Sequence, residues 1–152
     1  MKQNIVLLVM LLVFFTGTAC GQGEQNTNTS ESQGTPMYLH IGNETLTATL
    51  IDNSSTRALR ELLAINPITI NMSDYGNFEK VGSLGTTLPQ NNQQITTQSG
   101  DLILYQGNQF VIYYDRNSWS LTHLGRIDDV SQQELKNIFG TGNVTVRLSL
   151  AQ

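Results

Sequence analysis

The chain has a single cysteine, Cys20, and only two histidines, His40 and His123. One thiol cannot close an internal disulfide, so a covalent staple is excluded. A zinc site needs three or four clustered ligands, and the sequence offers no such cluster; no metal and no other cofactor is expected. Charge is sparse as well, with 13% charged residues and a formal net charge of −4. No run of Lys or Arg occurs, which excludes the electrostatic footprint of a nucleic-acid binder. Long apolar runs are also missing. The longest, Ile5 to Phe15, holds about 11 residues, roughly 16 Å as a helix against a hydrocarbon core of about 30 Å. It is too short to span a membrane stably.

What is present at the start is a secretory layout. Lys2 supplies a basic residue, Ile5 to Phe15 an apolar core, and Gly17-Thr18-Ala19 small residues for a peptidase. The stretch Thr16-Gly17-Thr18-Ala19-Cys20-Gly21 resembles the lipobox of bacterial lipoproteins, with Gly17 where leucine is usual. In that family the cysteine is acylated and becomes the first mature residue. The resemblance implies a signal peptide over residues 1–19 and a membrane partner reached through lipid on Cys20. It also implies a place in the bacterial cell envelope, outside the cytoplasm. One acyl chain binds a membrane only marginally, at about 0.8 kcal/mol per buried methylene, whereas two or three on one cysteine hold stably. Residues 20–36 then read as a tether: Gly21 to Pro36 contains no large apolar residue and cannot bury enough surface to offset ordering.

Folding signals begin at Met37, which sets a single domain over residues 37–152. Tyr38–Ile41 and Thr45–Ile51 flank Gly42-Asn43 as a hairpin, with Leu46, Ala48 and Leu50 on one face. Asp52 to Ser55 offer capping oxygens for a helix over Thr56–Ala64 that buries Leu59, Leu62 and Leu63. Asn66-Pro67 ends it, and Ile68–Met72 alternates as a strand. Phe78–Val81 is a short strand, Leu88-Pro89 a short extended piece, and the polar stretch Gln90–Gln98 a loop. Leu102–Tyr105 and Phe110–Tyr114 form a second hairpin around Gly107-Asn108, and Leu121–Ile127 is another strand. Ser131 to Glu134 is a capping box with Val130 and Leu135 as its staple. Gly140 ends that helix, and Val144–Leu150 closes the chain. About eight or nine strands and two short helices result. A closed barrel with helices over its open ends removes the exposed edges of such a set.

This order, together with local wording, resembles the small bacterial cyclophilin-like proteins. Thr45–Leu50, Met72-Ser73-Asp74-Tyr75, Glu79-Lys80, Ser99-Gly100-Asp101-Leu102 and Leu124-Gly125-Arg126-Ile127 carry the resemblance, over about Met37 to Leu150. It implies a closed antiparallel eight-stranded barrel capped by two short helices. True cyclophilins are peptidyl-prolyl isomerases. Their arginine donates to the prolyl amide, beside an aromatic and apolar pocket for the proline ring, and lowers a barrier of roughly 18–20 kcal/mol. Phe78-Glu79-Lys80-Val81 resembles the Phe-His-Arg-Val segment, which makes Lys80 the candidate catalytic residue. Lysine lacks the planar fork of arginine, so the exchange is not conservative. Gln109-Phe110-Val111-Ile112 resembles the Gln-Phe-Phe-Ile strand with Val111 in place of a pocket wall. Trp119 and His123 match the pocket tryptophan and histidine at a shorter spacing. The resemblance therefore implies a ligand groove of Tyr75, Phe78, Gln109, Phe110, Trp119 and His123.

Two functions follow from it. One is a non-catalytic module that binds a peptide or small ligand. The other is a weak prolyl isomerase acting on exported proteins. From the residues alone, His40 reads as a surface residue, His123 as structural, and Asp128-Asp129 as the turn before the capping box.

Overall fold

The computed structural model describes residues 34–152. The signal peptide expected over residues 1–19, Cys20 and almost all of the tether lie outside the described residues. The strands are β1 (Thr35–Ile41), β2 (Glu44–Leu50), β3 (Ile68–Tyr75), β4 (Glu79–Ser83), β5 (Gln93–Thr96), β6 (Asp101–Tyr105), β7 (Gln109–Tyr113), β8 (Ser118–Ile127) and β9 (Val144–Ser149). Helix α1 (Ser54–Ile65) follows β2, and α2 (Gln132–Phe139) follows β8. Neighbours run β2-β1-β9-β3-β4-β7-β6-β8, and β8 pairs back onto β2. Eight antiparallel strands thus close a barrel, and β5 is a ninth strand outside the ring.

Closure depends on one close approach. Gly125 of β8 lies opposite Leu50 of β2. A Cβ at Gly125 would sit 2.2 Å from the Thr49 carbonyl oxygen and 2.9 Å from the Leu50 Cα, both backbone. Only glycine lets the two strands meet there.

Strand alternation fills the inside. Leu39, Ala48, Leu50, Ile70, Met72, Leu102, Leu104, Phe110, Ile112, Val146 and Leu148 form one buried cluster, as an eight-stranded barrel has just enough room for side chains. Leu59 and Leu63 of α1 and Leu135 and Phe139 of α2 join it, so the helices cap the barrel, each such side chain contributing about 1.5–3 kcal/mol. Helix α1 starts at a capping box in which the Asn53 side chain accepts from the Thr56 N–H and the Thr56 hydroxyl from the Asn53 N–H. The Asn53 amide also donates to the His123 carbonyl at 2.9 Å, which fixes the helix to β8. Ser131 and Glu134 make the same box on α2.

The stretch Gln90–Gln98 departs from its expected loop. Gln93–Thr96 pairs in register with Ser118–Leu121 as β5. Its polar residues gave no alternation, because the strand lies at an edge and only Ile95 packs inward. Leu88-Pro89 forms no strand; Leu88 is buried and its N–H donates to the Gly107 carbonyl.

Candidate functional site

Successive residues of a strand point to opposite faces, so a barrel strand has an inner and an outer set. On β4, β7, β6 and β8 the outer set also carries apolar side chains. Ile103, Val111, Tyr113 and Leu121 form a second buried cluster, flanked by Phe78, Val81 and Ile95. Its members Tyr113 and Leu121, with the flanking Phe78 and Val81, line a groove of about 440 Å³, within the size range of small-ligand sites.

Two hairpin turns and the start of β8 build its walls. The β3–β4 turn supplies Tyr75, Phe78 and Glu79. Gly76 and Asn77 both take positive φ in that turn, at 61° and 59°. A Cβ on Gly76 would strike the Phe78 ring at 2.3 Å, so the turn's glycine seats that ring. The β6–β7 hairpin supplies Tyr105 and Gln109, and the start of β8 supplies Trp119 and Leu121. Tyr75 meets Phe78 edge-on at 5.8 Å, and Phe78 stacks on Tyr113 at 6.0 Å, arrangements aromatic pairs prefer. Tyr75 is 61% exposed and Trp119 59%. A rim of exposed aromatic rings around a concave apolar floor is the character of an interaction site rather than of ordinary surface.

One acid sits in this groove. Glu79 is 9% exposed, and its Oε2 has no hydrogen-bond partner among the described residues. Burial pushes its carboxyl above the usual glutamate range, and the Tyr113 hydroxyl offsets part of that shift. Tyr113 in turn is raised by burial and by the neighbouring Glu79, while Asn117 Nδ2 donates to its hydroxyl at 3.2 Å.

Of the residues expected in the groove, Tyr75, Phe78, Gln109 and Trp119 come together there. Lys80, Phe110 and His123 do not. Lys80 follows Glu79 and therefore points to the other face of β4. It is 1% exposed, and its Nζ donates to Asp74 Oδ1 at 2.9 Å and to the Gly142 carbonyl at 2.7 Å. The Tyr114 hydroxyl donates to the same Asp74 oxygen. Burial alone would raise Asp74, but Tyr114 and Lys80 outweigh it and hold the carboxyl low. Lys80 is thus a structural cation. Phe110 is fully buried inside the barrel, because it pairs with Leu104 and Gly82, both a step out of phase with the outer set.

His123 opens onto a separate, smaller depression beside Asp52, Asn53 and Gln93. Its Nε2 lies 3.4 Å from Asp101 Oδ1 without forming an aligned hydrogen bond. Arg126 Nε donates to that oxygen at 2.8 Å and the Gln98 N–H to Oδ2 at 2.7 Å. Burial opposes the charge on Asp101, yet His123, the Gln98 amide and Arg126 hold its carboxyl below the usual range. Among the described residues no group of three or more His, Cys, Asp or Glu could hold a metal ion.

Glu79, Tyr105 and Asn117 belong to the groove although the sequence reading assigned them no place in it. A signal existed. Leu102-Ile103-Leu104 and Phe110 to Tyr114 are apolar at every position, which marks strands covered on both faces. The resemblance to Phe-His-Arg-Val drew attention to Lys80, one residue out of phase.

Comparison with known proteins agrees with the architecture. Residues 39–149 match the model of the cyclophilin-like family. A hypothetical protein from Archaeoglobus fulgidus, its structure determined in solution, is 13% identical. The match covers 81% of this chain and 99% of that one at a TM-score of 0.58, a likeness of fold alone. No curated protein matches the chain. With its family match spanning most of its length, the chain belongs to the cyclophilin-like family.

Proposed function

We propose that this cyclophilin-like domain is a lipid-anchored, extracytoplasmic module that binds a peptide or small ligand in its outer groove without catalysis. The observation that carries the reading is the groove itself: exposed Tyr75 and Trp119 rings over an apolar floor, with no Lys or Arg lining it among the described residues. Prolyl isomerisation as true cyclophilins perform it needs a cationic donor facing the prolyl amide. Lys80 is turned to the opposite face and engaged by Asp74 and two carbonyls, which favours binding over catalysis.

The chain has a single tryptophan, so the fluorescence of Trp119 reports on the groove alone. Titration of the full chain with a pool of short peptides is expected to shift that emission. Trp119→Phe is expected to weaken binding of the selected peptide, measured calorimetrically. A proline-isomerisation assay is expected to show no acceleration. Acceleration that vanishes in Trp119→Ala would overturn the non-catalytic reading. The anchor rests on the lipobox resemblance around Cys20. Labelled palmitate is expected in the expressed chain and absent from Cys20→Ser, and equal labelling of both would refute the anchor.

A further inference from the structure

A buried carboxylate oxygen without a hydrogen-bond partner, in an aromatic groove, is an unusual thing to keep. A buried acid without a partner is destabilising, and most such groups are hydrogen-bonded or paired. Asp74 and Asp101 follow that rule, each held by a cation and further donors. Glu79 breaks it. Its Oε2 is buried, has no partner among the described residues, and belongs to a side chain that lines the groove. The rings of Tyr75, Phe78, Tyr105, Tyr113 and Trp119 line the same groove.

Aromatic faces carry negative quadrupole density and attract a cation within about 6 Å of a ring centroid, Trp most strongly. A carboxylate set among such rings adds the formal counter-charge and a charge-assisted acceptor. The combination is complementary to one ligand class. A neutral N–H or O–H donor satisfies Oε2 but leaves its charge without a counter-ion, and an anionic ligand meets a like charge. An organic ammonium satisfies the acid and the rings together. No Lys or Arg lines the groove among the described residues; Lys80 faces the other side of β4, and Arg126 is bound to Asp101. A ligand can supply the counter-charge.

We propose that the groove recognises ligands through an organic ammonium group, with Glu79 as its counter-charge and the rings of Tyr75 and Trp119 as its cage. This rests on the binding reading given above and specifies its ligand class. The ammonium belongs to a lysine side chain of a peptide or to a small alkylammonium ion, and both present a positive charge to the carboxylate and the rings.

The test uses matched pairs on the full chain in a nonionic detergent, followed by Trp119 fluorescence. One pair is Nα-acetyl-lysine methylamide and its norleucine counterpart, which lacks the charge. The other is choline and its neutral carbon isostere, 3,3-dimethylbutan-1-ol. In at least one pair the cation is expected to bind about tenfold or more tightly, through its charge and the ring faces for choline and, for lysine, a charge-assisted hydrogen bond as well. The pair that discriminates identifies the source. Glu79→Gln, which keeps shape and removes charge, is expected to abolish the discrimination. Tyr75→Leu, at an exposed position, is expected to weaken the cation about threefold by loss of the ring face. Parity within both pairs overturns the inference. If both members bind equally, the groove reading survives without its ammonium specificity. If no member of either pair binds while the peptide pool still shifts Trp119, the ligand class is wrong and the groove right. Loss of both responses refutes both.

Discussion

Glu79 and Lys80 are neighbours on β4 and meet opposite fates. Lys80 points inward, where Asp74, Gly142 and Gly140 supply oxygen partners and the Tyr114 hydroxyl completes the cluster. Glu79 points outward into an aromatic groove and keeps one oxygen without a partner. Both are nearly fully buried. The difference lies in satisfaction: a charge whose partners are built into the fold serves stability, and a charge without them weakens the fold and is available to a ligand.

The largest expected break of this comparison is Lys80→Met. It leaves Asp74 and two carbonyls without their cation, and unfolding by denaturant should show a loss of about 3 kcal/mol, as for other broken buried pairs. Groove binding at pH 7 by the folded fraction should survive, since Lys80 does not line the groove. Gly125→Ala follows. The new methyl meets the Thr49 carbonyl at the barrel seam, and a loss of about 2 kcal/mol is expected, the middle of the range for overpacking.

Glu79→Gln should move the other way. The native carboxyl titrates above its ordinary value of 4.5, so the folded state binds more protons than the unfolded one, and stability falls as pH rises through that window. Removing the charge should therefore raise stability at pH 7 by about 1 kcal/mol, the scale of one unsatisfied buried group. The gain should fade below pH 4.5, where the carboxyl is protonated in both states. Equal pH profiles for the two proteins would show that Glu79 is satisfied after all. Asp74→Asn gives the opposite profile. Its carboxyl is held below 3.8, so the wild type's advantage is present above that pH and is lost as pH falls beneath it. The smallest effect is Trp119→Ala, whose ring is exposed and outside both buried clusters. Its melting temperature should stay within a degree or two of wild type, on the order of 0.5 kcal/mol or less for a surface change.

Much of the fold was legible. Period-two runs placed most strands, Gly42-Asn43 marked the first turn, and the box from Ser131 to Glu134 marked α2, because these are local signals with local causes. Strand β5 was not legible, since an edge strand of Gln93, Gln94 and Thr96 has no face to advertise. The groove was half legible. Tyr75, Phe78, Gln109 and Trp119 were reached by resemblance, but inner and outer faces of a barrel strand differ by a single residue. A one-residue phase error puts a side chain on the wrong side of the wall. That error points to Lys80 rather than Glu79, and to Phe110, which lies inside the barrel. The β-bulge where Leu102 and Ile103 meet Gly125 and His123 arises from pairing, and no local pattern announces it.

The most direct test of the account is a map of amide and side-chain chemical shifts on addition of a bound peptide. Shifts concentrated at Tyr75, Phe78, Glu79, Gln109, Asn117 and Trp119, with Lys80, Phe110 and His123 unmoved, are the predicted result. A map centred on Lys80 and Asp74, or on His123 and Asp101, would contradict it and place the functional site on another face of the barrel.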